Sequence, residues 1–206
     1  MKRVILNMAA VLGIAVLALC MTQPANAAAI TIDFSGSSGG TVTLNVGGVA
    51  SSSNVAITEM TFDAGTPLAI SALLSFNSSA GTLSITSTAP ITIGANPAIP
   101  TGTLLLSGTG DTFHITNGGS VLTVTATGPD TKNATLLADL GVPAGTTFDL
   151  TAFSLSASPV VGGNGTNWTA SSSDVLNVST PEPGTLVMFG SGLLGLAGFI
   201  RRKLSA

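Results

Sequence analysis

Leu122-Thr123-Val124-Thr125-Ala126-Thr127 alternates apolar and hydroxyl side chains without a break. Successive side chains of a β-strand point to opposite faces, so Leu122, Val124 and Ala126 share one side and three threonines the other. β-Branched hydroxyls suit such a pleated, half-buried surface. The pattern recurs upstream. Ile30, Ile32 and Phe34 alternate with Thr31 and Asp33, and Val42, Leu44 and Val46 with Thr43 and Asn45. Leu83 and Ile85 alternate with Ser84 and Thr86. Downstream, Phe148, Leu150 and Ala152 alternate with Asp149 and Thr151. Phe153 and Leu155 then shift the phase by one residue, which predicts a β-bulge near there. The longer apolar run at residues 68–76 predicts a central strand buried on both faces.

Clusters of Gly, Pro, Asn and Ser separate these runs, at residues 36–40, 47–48, 95–100, 117–119 and 162–165. About ten strands at this spacing predict an all-β fold. The expected architecture is an antiparallel β-sandwich, jelly-roll or immunoglobulin-like, over residues 28–180. One segment breaks the period: residues 130–141 read as a short helix near 131–140. Asp130 or Thr131 is its expected cap, and Gly141 with Pro143 its end. A Gly-Thr pair at Gly40, Gly81, Gly102 and Gly145 raises a β-solenoid as an alternative. The residues between the pairs do not match, which favours one turn chemistry used repeatedly.

The chain has 206 residues, 45% hydrophobic and only 7% charged, against an average near 25% charged. It has no Tyr and one each of Trp, His and Cys. This composition excludes a disordered chain, which needs low hydrophobicity and high charge. It excludes a disulfide scaffold. Without a basic stripe, no nucleic acid partner is expected. Five of the six cations, Lys2, Arg3, Arg201, Arg202 and Lys203, lie at the two ends. Lys132 alone faces eight acids in residues 28–180, a net charge of about −7.

Each terminal basic cluster borders an apolar run. Lys2-Arg3 precede an apolar stretch over residues 8–21, the length of a signal-peptide core. Ala25 and Ala27 offer the small side chains a signal peptidase admits, so residues 1–27 are expected to be a signal peptide cut after Ala27. A retained N-terminal anchor is the alternative. Cys20 lies within the apolar core and leaves with it, so the mature chain has no thiol. At the other end, an apolar run over residues 184–200 reaches the lower limit for a transmembrane helix. Arg201, Arg202 and Lys203 follow it and should stay cytoplasmic, which turns the main domain outward.

Pro181-Glu182-Pro183, the short glycine-rich apolar run and the terminal basic cluster stand in that order. Residues 181–206 resemble the PEP-CTERM sorting signal of exopolysaccharide-producing Gram-negative bacteria. The resemblance implies processing by an exosortase near Pro181, Glu182 and Pro183, after transient anchoring in the inner membrane. It also implies release or transfer to the cell surface or extracellular matrix. An ordinary anchor that is never processed is the alternative.

Little in the chain points to catalysis. Gly36-Ser37-Ser38-Gly39-Gly40 matches G-x-S-x-G, but a nucleophile elbow needs a helix after it, and a strand follows here. The only histidine, His114, alternates with Phe113 and Ile115 and is expected to point outward. No ligand spacing suits zinc or a calcium loop. No enzyme activity, cofactor or metal is therefore expected. The expected role is a structural or adhesive surface or matrix protein. The alternative is a carbohydrate-binding module that meets exopolysaccharide through Trp168 and Asn167, since an indole exposed beside an amide can stack on a sugar ring, although a lone Trp more commonly packs in a core or at an edge. A hydrolase built on Ser38 or on paired carboxylates is a third reading.

Overall fold

The structure is a computed structural model that describes residues 29–143, 145–160 and 166–179. Among the described residues ten strands form: β1 (Thr31–Gly36), β2 (Thr41–Leu44), β3 (Ala50–Phe62), β4 (Leu68–Asn77) and β5 (Thr82–Ser87), then β6 (Leu104–Thr109), β7 (Thr112–Asn117), β8 (Leu122–Lys132), β9 (Phe148–Pro159) and β10 (Asn167–Ser179). Helix α1 (Ala134–Asp139) lies between β8 and β9.

All the pairings are antiparallel, and they close on themselves. β1 and β2 run in one direction and both lie between β10 and β3, so they are two halves of a single stave. β6 and β7 likewise lie end to end along β8. Counted this way there are eight staves, each bonded to its neighbours in sequence, with the last returning to the first. This is an up-and-down β-barrel, and it corrects the expected sandwich. A period of two marks which side of a strand is buried, but a sandwich and a barrel bury that side alike. What decides between them is strand length and bending. β3, β9 and β10 are long, with register shifts at Ser52/Val55 and Ile57/Glu59 of β3 and at Ala170/Ser172 of β10. Such bulges coil strands enough to close a sheet.

Eight strands enclose a space just wide enough for side chains. Phe34, Leu74, Ile85, Leu106, Leu122 and Phe153 fill it. Phe76, Phe113 and Phe153 form an aromatic cluster with centroids 5.6–6.3 Å apart. Residues 29–180 make one compact unit with its own core and closed ladder, as a segment able to fold independently requires.

Several local expectations are met and several are corrected. An extra residue interrupts β9 between Leu150 and Phe153 against both neighbours, where the phase shift predicts a bulge. That bulge turns Ala152 outward instead of inward. β4 buries only one face, through Ile70, Ala72, Leu74 and Phe76, because its other side is the outer wall of the barrel. Val46 is not in a strand. It sits fully exposed, at 103%, in the β2–β3 turn. The helix starts later than expected, because residues 130–132 complete β8. Asn133 caps it, its side chain accepting from Thr135 N and Leu136 N. Gly141 at φ +72° ends it, as expected, with Val142 N donating to Leu137 O at 2.8 Å. The four Gly-Thr glycines all take positive φ, so turn chemistry explains their recurrence rather than a solenoid.

The two barrel ends differ. Thr31, Ser179, the β5–β6 connection and α1 share one end. Ile30 and Ser179 join the first and last strands there, with Ser179 N donating to Ile30 O at 2.7 Å. Leu136 of α1 and Ile91 and Ile99 of the β5–β6 connection plug that end, tied by Asn96 Nδ2 donating to Asp139 O. The β2–β3, β4–β5 and β7–β8 turns form the other, hairpin end. The predicted signal peptide at 1–27, with Ala25 and Ala27, lies outside the described residues. So do Pro181, Glu182 and Pro183, the predicted helix at 184–200, and Arg201, Arg202 and Lys203. Among the described residues no helix is long and apolar enough to cross a membrane.

Candidate functional site

Outward-facing side chains of adjacent strands line up in rows. Thr116, Thr123, Ser156 and Ser172 form one row across β7, β8, β9 and β10. His114, Thr125, Ser154 and Asp174 form the next. Strand spacing of about 4.8 Å sets the distance between neighbours in a row. On the opposite wall, the bulge of β3 at Ser53–Asn54 indents the surface into a groove of about 470 Å³. Thr41, Thr43, Asn54, Ser75, Asn77 and Ser84 line it, all neutral hydrogen-bonding groups. Gly40 makes the indentation feasible. It takes φ +96°, and a Cβ there would lie 2.6 Å from Val55 Cα. Gly39 N donates to Ala170 O and Ala170 N to Gly40 O, so the glycine segment stays in the ladder as a kink.

That geometry disposes of Ser38 as a nucleophile on an elbow. It lies exposed in a kink between two halves of one strand, with no helix behind it. His114 is exposed on β7, as expected. Trp168 points into the barrel, 2% exposed, in the packed position commoner for a lone Trp, so the alternative of a face offered to a sugar outside is set aside. Its position on β10 has the same parity as the buried Ala170, before the strand's bulge. Asn167 beside it is exposed on the outer wall. The two candidate contact residues therefore lie on opposite sides of the wall.

The eight acids are not evenly spread. Asp33 and Asp174 meet on the outer wall of β1 and β10. Burial first, then a hydrogen bond and repulsion from Asp174, push the Asp33 carboxyl up to about 7. Asp111, Asp130 and Lys132 form a second group, inside the wall. Lys132 pairs with Asp130, both side chains fully buried, and its Nζ lies 4.8 Å over the Phe148 ring. Burial lowers the Lys132 ammonium to about 8, against the opposing pull of Asp130. Burial also raises the Asp130 carboxyl, with Lys132 working the other way. Asp111 is 6% exposed, and neither of its carboxyl oxygens has a hydrogen-bond partner among the described residues. It lies over Gly108 and Gly128, where any Cβ would collide with it. Burial and the Asp130 charge push it up to about 6. A cleft of about 310 Å³ beside α1 reaches Asp130 and Lys132.

Sequence reasoning missed this interior group, although a signal was present. Carrying the phase of Leu122, Val124 and Ala126 forward puts residues 128, 130 and 132 inside. Reading 130–141 as helix hid it. Among the described residues, no three His, Cys, Asp or Glu side chains are grouped to hold a metal ion.

The last described strand, β10, ends at Ser179, and in sequence the Pro-Glu-Pro stretch begins two residues later. Residues 179–203 match the PEP-CTERM protein-sorting motif. The PEP-CTERM motif implies an exported protein that is sorted by an exosortase and anchored transiently in a membrane on the way. It covers the tail alone, and the barrel stays unassigned. No curated protein and no solved structure matches the chain.

Proposed function

We propose that this chain is a structural or adhesive protein of the cell surface or extracellular matrix, without enzymatic activity. In this reading a signal peptidase removes residues 1–27, and an exosortase processes the tail at Pro181, Glu182 and Pro183. The observation that carries the reading is the PEP-CTERM motif set directly after the final barrel strand. Charge distribution supports it. Residues 37–58, 112–129 and 150–173 contain no Asp, Glu, Lys or Arg, and they build most of the hairpin half. The acids gather toward the end from which both chain termini leave. Solubility of the hairpin half therefore rests on hydroxyl and amide groups, which suits contact with hydrated, uncharged polymers. Replacing Pro181, Glu182 and Pro183 with alanine is expected to leave unprocessed precursor in the membrane fraction. Unchanged release of a protein of processed mass would overturn the sorting part of the reading.

The second reading, a carbohydrate-binding module, is favoured by the groove of neutral side chains between Thr41 and Ser84. The sole lysine of residues 28–180 is buried in its ion pair, so no cation is left outside to hold an anionic polysaccharide. The expected partner is thus a neutral stretch of exopolysaccharide. Affinity electrophoresis of residues 29–180 checks this. Retardation by neutral but not by anionic polysaccharide, lost in Asn54→Ala, is the expected result. No retardation by any neutral polysaccharide would discard the groove as a site.

A further inference from the structure

Side chains two apart on a strand share a face, so β8 turns Asp130 and Lys132 to the same side. Lys132 Nζ donates to Asp130 Oδ1, and both side chains are fully shielded from solvent. Their surroundings are apolar. Leu106 stands opposite Lys132 on β6, and Phe148 opposite Asp130 on β9, both buried. A second acid flanks the pair. The Asp111 carboxyl lies over Gly108, which is opposite Asp130 on β6, and over Gly128, two residues before Asp130. A Cβ at either glycine would collide with that carboxyl, so the two bare backbones are what admit Asp111 beside Asp130. Asp130 Oδ2 and both carboxyl oxygens of Asp111 have no hydrogen-bond partner among the described residues.

A buried ion pair is costly to hold, and two acids against one ammonium leave a charge uncompensated. Neutral groups suit this place better. Burial pushes all three that way, lowering the Lys132 ammonium to about 8 and raising the Asp130 and Asp111 carboxyls, the latter to about 6. We infer that the Lys132 and Asp130 side chains join in an amide bond, with the neighbouring Asp111 carboxyl passing the proton. With the pair neutral, the Nζ lone pair attacks Asp130 Cγ. The new N–C bond forms, and the C–O bond to one carboxyl oxygen breaks. Asp111 takes a proton from the nitrogen on one oxygen and gives its own to the departing hydroxyl from the other, so it ends as it began. The leaving group is water. Nothing is oxidised or reduced, and no co-reactant is needed. The product is an uncharged amide in place of a buried ion pair. It links residues two apart on one strand, so the loop it closes is very short and adds little through chain entropy. Its gain is the removal of two charges from the interior.

Lys132 is the only Lys or Arg between Arg3 and Arg201, so it is the only site in the barrel that trypsin can cut. A lysine acylated on Nζ is not cut. The full chain, purified and then denatured, is expected to weigh one water less than the sequence between its ends. Trypsin should leave it whole across residue 132. Asp130→Ala should keep the full mass and be cut at Lys132. Asp111→Asn should do the same, with a cooperative thermal transition to show that it is folded. Closure of an aspartyl side chain on its own backbone also loses water, but leaves Lys132 open to trypsin. A wild-type chain of full mass, or one short of a water yet cut at Lys132, would overturn the proposal. Water loss that persists in Asp111→Asn would overturn the part given to Asp111.

Discussion

Asp111 keeps its carboxyl over Gly108 and Gly128 with neither oxygen bonded among the described residues, and Asp130 beside it adds repulsion. Two acids share one lysine there, so full ionisation leaves a negative charge too many in a buried place. The consequence for stability has a definite sign. The folded values of Asp111, about 6, and Asp33, about 7, both lie above the ordinary 3.8. Between those limits the folded chain holds protons that the unfolded chain has lost. The stabilisation is complete below 3.8 and is lost as pH rises through 6 to 7. Calorimetry of residues 29–180 should give a lower unfolding temperature at pH 8 than at pH 5. Asp111→Asn should flatten that slope and raise the temperature at pH 8. Trp168 gives a second prediction at this scale. As a core residue, Trp168→Ala should cost about 3–5 kcal/mol in urea unfolding, and glycan binding at the outer groove should be unaffected once the fold is restored by low temperature.

The first stave shows what an element needs beyond its pattern. β1 and β2 each obey the period of two, but they become one stave only because Gly39 and Gly40 keep the ladder while bending it. Gly40→Ala meets both a left-handed φ and the backbone of β3, so a loss of roughly 1–3 kcal/mol is expected in chemical denaturation. Ser38→Ala in the same segment should change stability by less than about 0.5 kcal/mol, since Ser38 is exposed. In α1, Asn133→Ala removes the side chain that holds two backbone N–H groups and should cost about 1 kcal/mol. These elements mark where sequence reading succeeds. Ile32, Phe34, Leu83, Ile85, Leu122 and Val124 all lie inside as their alternation says, and the β9 bulge sits at the phase shift. Closure was not legible, because pairing of β1 with β10 joins residues about 145 apart and leaves no trace in a local window. Trp168 left two readings open for a related reason. Its neighbours Asn167 and Thr169 are polar, and a single apolar residue between them fits an exposed loop as well as an inward strand position. Asp130 and Lys132 looked like helix-start polar residues, and only tertiary closure makes them interior.

For the whole molecule, the acids of the barrel gather away from the neutral groove that lines its hairpin half. The terminus-bearing end carries the acids and the plug made by α1, and the other end carries hydroxyls and exposed valines. β1 and β10, the first and last strands, lie side by side, with Ser179 bonded to Ile30. A mechanical consequence follows from that arrangement. If the chain is held through its C-terminus and its hairpin end grips a polymer, tension runs along β10. β10 is flanked along its length by β9 and by the β1–β2 stave, so the load strains both ladders in shear, with many bonds sharing it at once. Pulling on Thr31 and Ser179 instead opens the β1–β10 seam like a zip, one bond at a time. The same barrel is thus stiff when loaded end to end and weak when its two termini are drawn apart.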